Sequence, residues 1–544
     1  MSAAEQPIAS PPAAPAQGPD WWKRAVFYQI APRSFQDTDG DGVGDLRGVI
    51  RRLGHLSWLG VDAVWLTPVF PTPNRDFGYD ICDHAAVDPQ LGTLGDLDEL
   101  VGELHARGMR LLLDFVPNHT SDQHPWFRQS RSSREDPRRD WYVWMDPGPD
   151  GRPPNNWLSR FGGSAWEWDE RTGQYYYHAF LKEQPDLNWR NPEVRAAMAQ
   201  VLRFWLRRGV DGFRVDASAV LAEDELLRND PPNPDADSAP PPERFKRVFS
   251  DNRPETLGYI EQIRAVLDEF EGRVLLAEVQ TDDGQLSRFY GEPGRPRFHL
   301  PLNYKLLDIP WSSDSAAAEL DRYLRELPEG AWPNWVLGSH DKPRAAARLG
   351  PRRAPQAAVL LFTLPGTPVF YAGDEYGMPD VDVSDRTVVD PFERRLPGWG
   401  LNRDPHRSPL RWEDGPKAGF TTGEPWLPMG QVPQGCNVAA QKADPGSLMQ
   451  LYRRLIALKH EAPALQGAAY EPLRPQDGVL LFRRGEGRER LLTAANFTEE
   501  SRTVRLDAPA VVRAGTRLER EGERAGDALE LGPCEAMVLA SPGA

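Results

Sequence analysis

Short, mostly apolar runs alternate with amphipathic helical stretches along most of this chain, and no other sequence feature restricts the fold as strongly. Residues 26–30 read as a strand. Helical sequence over 46–59 leads to a strand at 61–66, and a helix over 94–107, closed by Gly108, leads to a strand at 110–116. Buried strands joined by helices specify a parallel sheet with crossovers. The rhythm breaks at 119–186, a Trp-, Pro- and Gly-rich stretch with only short strand-like pieces such as 174–178. Insertions of that length are functional or form subdomains of their own. Alternation then resumes: helix 192–208 and strand 210–215, a polar Pro-rich insertion at 222–255, helix 256–270 and strand 274–279, and a strand at 298–302. Helix 314–327 with strand 335–339, and helix 355–363 with strand 367–371, complete eight units by about residue 463, the number in a closed (β/α)₈ barrel. From about 466, short strands without helices between them read as an antiparallel β domain. The expected organisation is a tail at 1–20, a barrel at 21–463 with an inserted subdomain at 118–186, and a C-terminal β domain at 464–544.

In such barrels chemistry sits at the C-terminal strand ends. Asp114 and Asn118-His119 end the third strand, Arg214 and Asp216 the fourth, Glu278 the fifth and His340-Asp341 the seventh. The fourth is well defined locally. Asn191 is an N-cap, Pro192 fits the first turn, and Val194, Met198, Val201, Leu202, Trp205 and Leu206 recur at helical spacing before Gly209. Alternation then sets Arg214 and Asp216 on one face. Alone, an Arg-x-Asp strand is most often a structural ion pair. Four carboxylates and two histidines on one rim favour an active site.

Other chemistries lack their residues. No His-rich zinc spacing, Gly-x-Ser-x-Gly elbow or phosphate-binding glycine loop occurs. The net charge of −16 argues against nucleic acid or an anionic membrane as partner. Cys82, Cys436 and Cys534 are far apart and odd in number, which fits a reducing compartment. The Ala/Pro-rich start has no basic or apolar run, so a disordered tail is expected, and no stretch reads as membrane-spanning. The expectation is a cytoplasmic protein, monomeric or homodimeric, with no organic cofactor. What remains is carboxylate-pair chemistry of the kind that cleaves glycosides.

Asp114-Phe-Val-Pro-Asn-His119, Gly212-Phe-Arg-Val-Asp216, Glu278 and His340-Asp341 resemble the four signature regions of the α-amylase family of glycoside hydrolases. Gln184-Pro-Asp-Leu-Asn188 resembles the fifth region of its α-glucosidase and oligo-1,6-glucosidase branch, as do the opening from Trp21, Gly366-Thr-Pro-Val-Phe-Tyr and Gly419-Phe-Thr-Thr-Gly-Glu-Pro-Trp426. The resemblance spans about residues 21 to 544. It implies Asp216 as nucleophile, Glu278 as general acid/base and Asp341 as the group that holds the sugar ring hydroxyls. His119 and His340 would bind the same glucose, with Asp114 and Arg214 setting the charge beneath. In a retaining mechanism Asp216 and Glu278 lie roughly 5–5.5 Å apart. Asp76 and Arg403 match the pair that grips the terminal glucose, Tyr79 matches its stacking platform, and Gln184 joins the substrate-binding set. Phe161 and Phe180 are read as lining the entrance, with ordinary packing as the alternative. The fourth region departs from the usual Asn-His-Asp at Ser339, and Ala277 stands where Gly is frequent. Ala217, next to the nucleophile, resembles the α-1,4-preferring members, whereas α-1,6 enzymes usually carry Val.

The resemblance thus implies an exo-acting retaining α-glucosidase acting on maltose and short malto-oligosaccharides. A transglucosidase, sucrose isomerase or trehalose synthase would use the same groups, as would an α-1,6 oligoglucosidase. A non-enzymatic transporter-associated relative would lack the carboxylates that are present here. The acidic loop Asp37-x-Asp39-x-Asp41-Gly-Val43-Gly-Asp45 has an EF-hand opening, but Gly48 stands where the bidentate Glu is required. By resemblance it binds a structural Ca²⁺ or Mg²⁺ through Asp37, Asp39, Asp41, Asp45 and the Val43 carbonyl; a solvated acidic turn is the alternative.

Overall fold

The computed structural model describes residues 18–279, 285–383 and 387–541. The expected tail falls mostly in 1–17, outside the described residues. Eight strands form one parallel sheet: β1 Phe27–Ile30, β2 Ala63–Leu66, β3 Arg110–Phe115, β4 Gly212–Val215, β5 Val274–Ala277, β6 Leu300–Pro301, β7 Asn334–Val336 and β8 Thr367–Tyr371, in spatial order β6-β5-β4-β3-β2-β1-β8-β7. The sheet curls into a nearly closed (β/α)₈ barrel. Period-2 alternation divides each strand between two cores. Phe27, Ala63, Trp65, Leu112, Val274 and Leu276 pack inside the barrel, whereas Tyr28, Val64, Leu113, Phe213 and Leu275 pack outward with the helices.

The seam between β6 and β7 is closed by side chain as much as backbone. Pro301 has no N–H to donate, and β6 is only two residues long. The Asn334 side chain donates to Pro301 O and accepts from the Asn303 amide, and the Val336 amide reaches Asn303 O. This is why the strand expected at 298–302 shrinks to Leu300–Pro301. The helix expected at 46–59 is two, Leu46–Arg51 and Leu53–Leu59, separated at Arg52. Helix Pro192–Arg207 forms on its sequence cues, with the Asn191 side chain accepting from the Glu193 amide and all six apolar residues buried. Gly212 opens β4 because a Cβ there would lie 2.2 Å from Val274 O.

The insertion after β3 carries a three-stranded antiparallel sheet of Trp144–Met145, Gln174–Tyr177 and Trp166–Asp169, tied at its neck by a His119–Asp186 bridge. Helix Leu448–Glu461 follows the last barrel strand, and antiparallel sheets of six and two strands make up the C-terminal domain. No helix among the described residues is long and apolar enough to cross a membrane.

Candidate active site

Parallel register assembles the rim. Asp114 pairs with Arg214, and Val215 pairs with Ala277. Asp216 and Glu278, each one residue beyond that last pair, therefore leave adjacent strands side by side. Their amides still donate into the sheet, to Phe115 O at 2.8 Å and Val215 O at 2.9 Å. The buried Arg214 links three carboxylates: Nη1 donates to Asp216 Oδ1 at 2.5 Å and Asp114 Oδ1 at 3.1 Å, and Nη2 to Glu278 Oε2 at 2.6 Å. The fixed fork of a guanidinium suits such bridging. Three carboxylates nevertheless share one cation. Burial pushes Asp216 well above the usual carboxylate range, Arg214 opposes this, and the Glu278 and Asp114 charges add to the rise. Burial raises Asp114 to about 6 against the pull of Arg214.

Asp341 is held from the other side. Arg407 Nη2 donates to its Oδ1, Arg403 Nη1 reaches the same oxygen at 3.3 Å, and Arg407 Nε donates to His340 O at 2.8 Å. Burial alone would raise Asp341; the His340 ring, Arg407 and Arg403 hold it well below the usual range. Arg403 Nη2 also donates to Asp76 Oδ1 at 2.7 Å, across 327 positions of sequence, and to Asp390 Oδ1 at 2.9 Å. Gln184 Nε2 donates to Asp76 Oδ2 at 3.2 Å and lies 3.1 Å from His119 Nε2. Burial lowers His119 to about 3, so it is a neutral ring at physiological pH. Tyr79 stacks on His340, with ring centroids 5.6 Å apart, and its hydroxyl lies between Asp114 Oδ2 and His340 Nε2.

A cavity of about 480 Å³ opens over this web. Asp76, Tyr79, His119, Phe161, Phe180, Asp216, Ala217, Glu278, Asp341 and Arg403 reach its wall. Asp114, Gln184, Arg214 and His340 do not line it. Each is buried one hydrogen bond behind a residue that does. Ala217 has a left-handed backbone, φ 46° and ψ 35°. Phe161 stacks on Phe392 at 4.0 Å, with the Arg403 guanidinium over both rings.

Sequence reasoning missed Arg407, Asp390, Phe392 and the wall from the second insertion, Pro240, Pro242, Glu243 and Arg247. Arg407 ends the short helix Asp404–Arg407 that Arg403 opens, four residues beyond the arginine named from sequence. Asp390 and Phe392 sit at no strand end and carried no signal.

No residue of the acidic loop 37–45 lines this cavity. Among the described residues, Asp37, Asp39 and Asp45 are the one carboxylate cluster with oxygens close enough to share an ion, all within 4.8 Å, and Asp41 is outside it. Hard oxygens so crowded fit Ca²⁺ or Mg²⁺. The same groups also accept backbone amides, Asp37 from Asp39, Gly40 and Gly42, and Asp45 from Thr38 and Gly48. The loop packs on 420–426: the Asp37 amide donates to Phe420 O, Thr421 Oγ1 to Asp37 Oδ2, and the Trp426 amide to Gly42 O.

Two carboxylates on adjacent strand ends at the wall of one cavity are the arrangement that cleaves glycosides, and known proteins agree. Residues 29–468 match the α-amylase catalytic domain. The chain is 41% identical over 503 residues to a probable α-glucosidase of Rhizobium meliloti, covering 90% of this chain and 91% of that one. It is 36% identical over 528 residues to an oligo-1,6-glucosidase of Parageobacillus thermoglucosidasius, covering 89% and 92%. Among solved structures, an α-glucosyl transfer enzyme superposes with a TM-score of 0.90 at 37% identity, covering 96% of this chain and all of that one. The trehalulose synthase of Pseudomonas mesoacidophila superposes at 0.85 with 34% identity, covering 96% and 100%. The chain belongs to the α-amylase family of glycoside hydrolases.

Proposed function

We propose that this protein is an exo-acting, retaining α-glucosidase that releases glucose from the non-reducing end of maltose and short α-1,4 oligosaccharides, with sucrose a further candidate. The observation that carries the reading is Arg214 bridging Asp216 and Glu278 at one end of a cavity whose wall also holds the buried Asp76–Arg403 pair. In this reading an Asp216 oxygen bonds the anomeric carbon while the glycosidic C–O bond breaks, and the leaving oxygen takes its proton from Glu278. Water, deprotonated by Glu278, then displaces Asp216. Two inversions retain configuration. Asp341 binds ring hydroxyls, and Asp76 with Arg403 stops a longer chain and reads the terminal sugar by charge-assisted hydrogen bonds. Relatives with α-glucosidase names support hydrolysis. The names of the transfer enzyme and the trehalulose synthase support the rival, in which a sugar hydroxyl replaces water.

Asp216→Asn should cut hydrolysis of an aryl α-glucoside at least roughly a thousandfold; near-normal turnover would overturn the mechanism. Free glucose as the main product from maltose and sucrose supports the hydrolase, and mainly disaccharide products would establish the rival. The Asp37–Asp45 loop would hold a Ca²⁺ or Mg²⁺ ion that stabilises the fold and takes no part in the chemistry.

A further inference from the structure

Gln29 is the third residue of β1 and has no part in the roles assigned above. It is buried at the barrel's rim level, in register with Trp65 of β2 and Tyr371 of β8. Its Nε2 lies 2.5 Å from His340 Nδ1. On the other side of that ring, His340 Nε2 faces the Tyr79 hydroxyl at 2.7 Å and Asp341 Oδ2 at 3.1 Å. The Tyr79 hydroxyl in turn lies 2.8 Å from Asp114 Oδ2, and Asp114 Oδ1 accepts from Arg214.

These contacts determine where the protons sit. Asp114 beside Arg214 is an acceptor, so Tyr79 donates its single proton to Asp114 Oδ2. The Tyr79 oxygen is then an acceptor toward His340, as is Asp341 Oδ2. His340 Nε2 must therefore carry a proton. The groups facing the ring are Asp341, Asp114 and Tyr79 together with the cations Arg407, Arg214 and Arg403. With three guanidiniums near and the ring buried, the imidazole is neutral. Nδ1 is then a bare lone pair in need of a donor, and the Gln29 amide N–H supplies it. The opposite amide orientation would set an oxygen lone pair against a nitrogen lone pair, so the network itself fixes the rotamer.

We propose that Gln29 is a positioning residue for the reaction, holding His340 as the neutral Nε2–H tautomer so that the ring donates toward Asp341 and Tyr79. The proposal rests on the reading of Asp341 as the group that grips the sugar. Its consequence is electrostatic. A bare Nε2 would repel the Asp341 carboxylate and loosen it, whereas an imidazolium would oppose the positive charge that grows at the anomeric carbon.

The test compares wild type with Gln29→Glu and Gln29→Met. Glutamate keeps the shape and replaces the donor by an acceptor, which draws the proton to Nδ1. At high pH Nε2 then becomes bare, and it regains a proton only when the ring as a whole protonates. Gln29→Glu should lose at least about tenfold in kcat at pH 8, the worth of one misplaced hydrogen bond. Its alkaline limb should also move to lower pH, with KM changing less than kcat. Gln29→Met should lose less and keep the wild-type pH profile. A packing role predicts the reverse order, with the isosteric Glu near wild type, and that result would overturn the proposal. A second measurement does not depend on activity. In ¹⁵N-histidine-labelled protein, the His340 signals, identified by their loss in His340→Asn, should report an unprotonated Nδ1 in wild type and a protonated Nδ1 in Gln29→Glu. A protonated Nδ1 in wild type overturns the role of Gln29 whatever the substrate proves to be, whereas an inactive wild type with the expected spectrum overturns only the glucosidase reading.

Discussion

Ala217 holds a left-handed backbone directly after Asp216, with its amide 3.5 Å from Glu278 Oε2. Any side chain is strained there, and a β-branched one more so. Ala217→Val should therefore lower stability by about 1–2 kcal/mol. It should also narrow the cavity wall on the side of the leaving sugar, so that kcat/KM for maltose falls relative to isomaltose. Thermal denaturation and paired kinetics on the two disaccharides measure both effects; an unchanged ratio would remove Ala217 as a linkage determinant. At this scale the sequence was most informative where side chains share a strand. Period-2 alternation alone set Arg214 and Asp216 on one face, and the structure joins them through Nη1. It was silent where partners meet across loops. Arg407 donates to Asp341 from 66 positions away, and no local pattern encodes that.

Among elements, the βα units and the Asn191-capped helix were legible because their cues are local: caps, spacing and terminal glycines. The β6–β7 seam was not, because it depends on the Asn334 side chain, which pairs with Pro301 O and the Asn303 amide where β7 backbone would otherwise do so. The acidic loop is an intermediate case. Its alternate carboxylates are visible in sequence, yet only three converge, and the 420–426 segment that braces them lies far along the chain. If the loop holds a divalent ion, chelation should lower the melting temperature by about several degrees, and added Ca²⁺ should restore it. Asp37→Asn should abolish that response. A chelator without effect would mean that the loop is closed by its own amides.

Across the whole molecule, the C-terminal domain is docked on the barrel by a buried arginine and a buried lysine. Arg484 donates to Thr363 O, Gly467 O and Ala469 O, and Lys459 Nζ to Gly366 O and Leu465 O. Burial lowers Lys459 to about 7. Between pH 7 and 9 the unfolded chain therefore binds a proton at Lys459 that the folded chain lacks, and stability rises with pH by up to about 1.4 kcal/mol per unit. The melting temperature of wild type should climb over that window relative to Lys459→Met. A constant gap between the two would mean that the amine keeps its proton when folded. The domain's existence was legible from the change of texture near residue 466, but its mode of attachment was not, since a lysine and an arginine read from sequence as solvated. The Asp76–Arg403 contact has a consequence of another kind. It joins residues 327 positions apart, so the feature that would distinguish a chain end from a chain middle exists only after the first and last thirds of the barrel have met. Contacts of such high order form late. During refolding, discrimination between short and long substrates should consequently return after the helical signal, making substrate choice a clock for the final closure of the barrel.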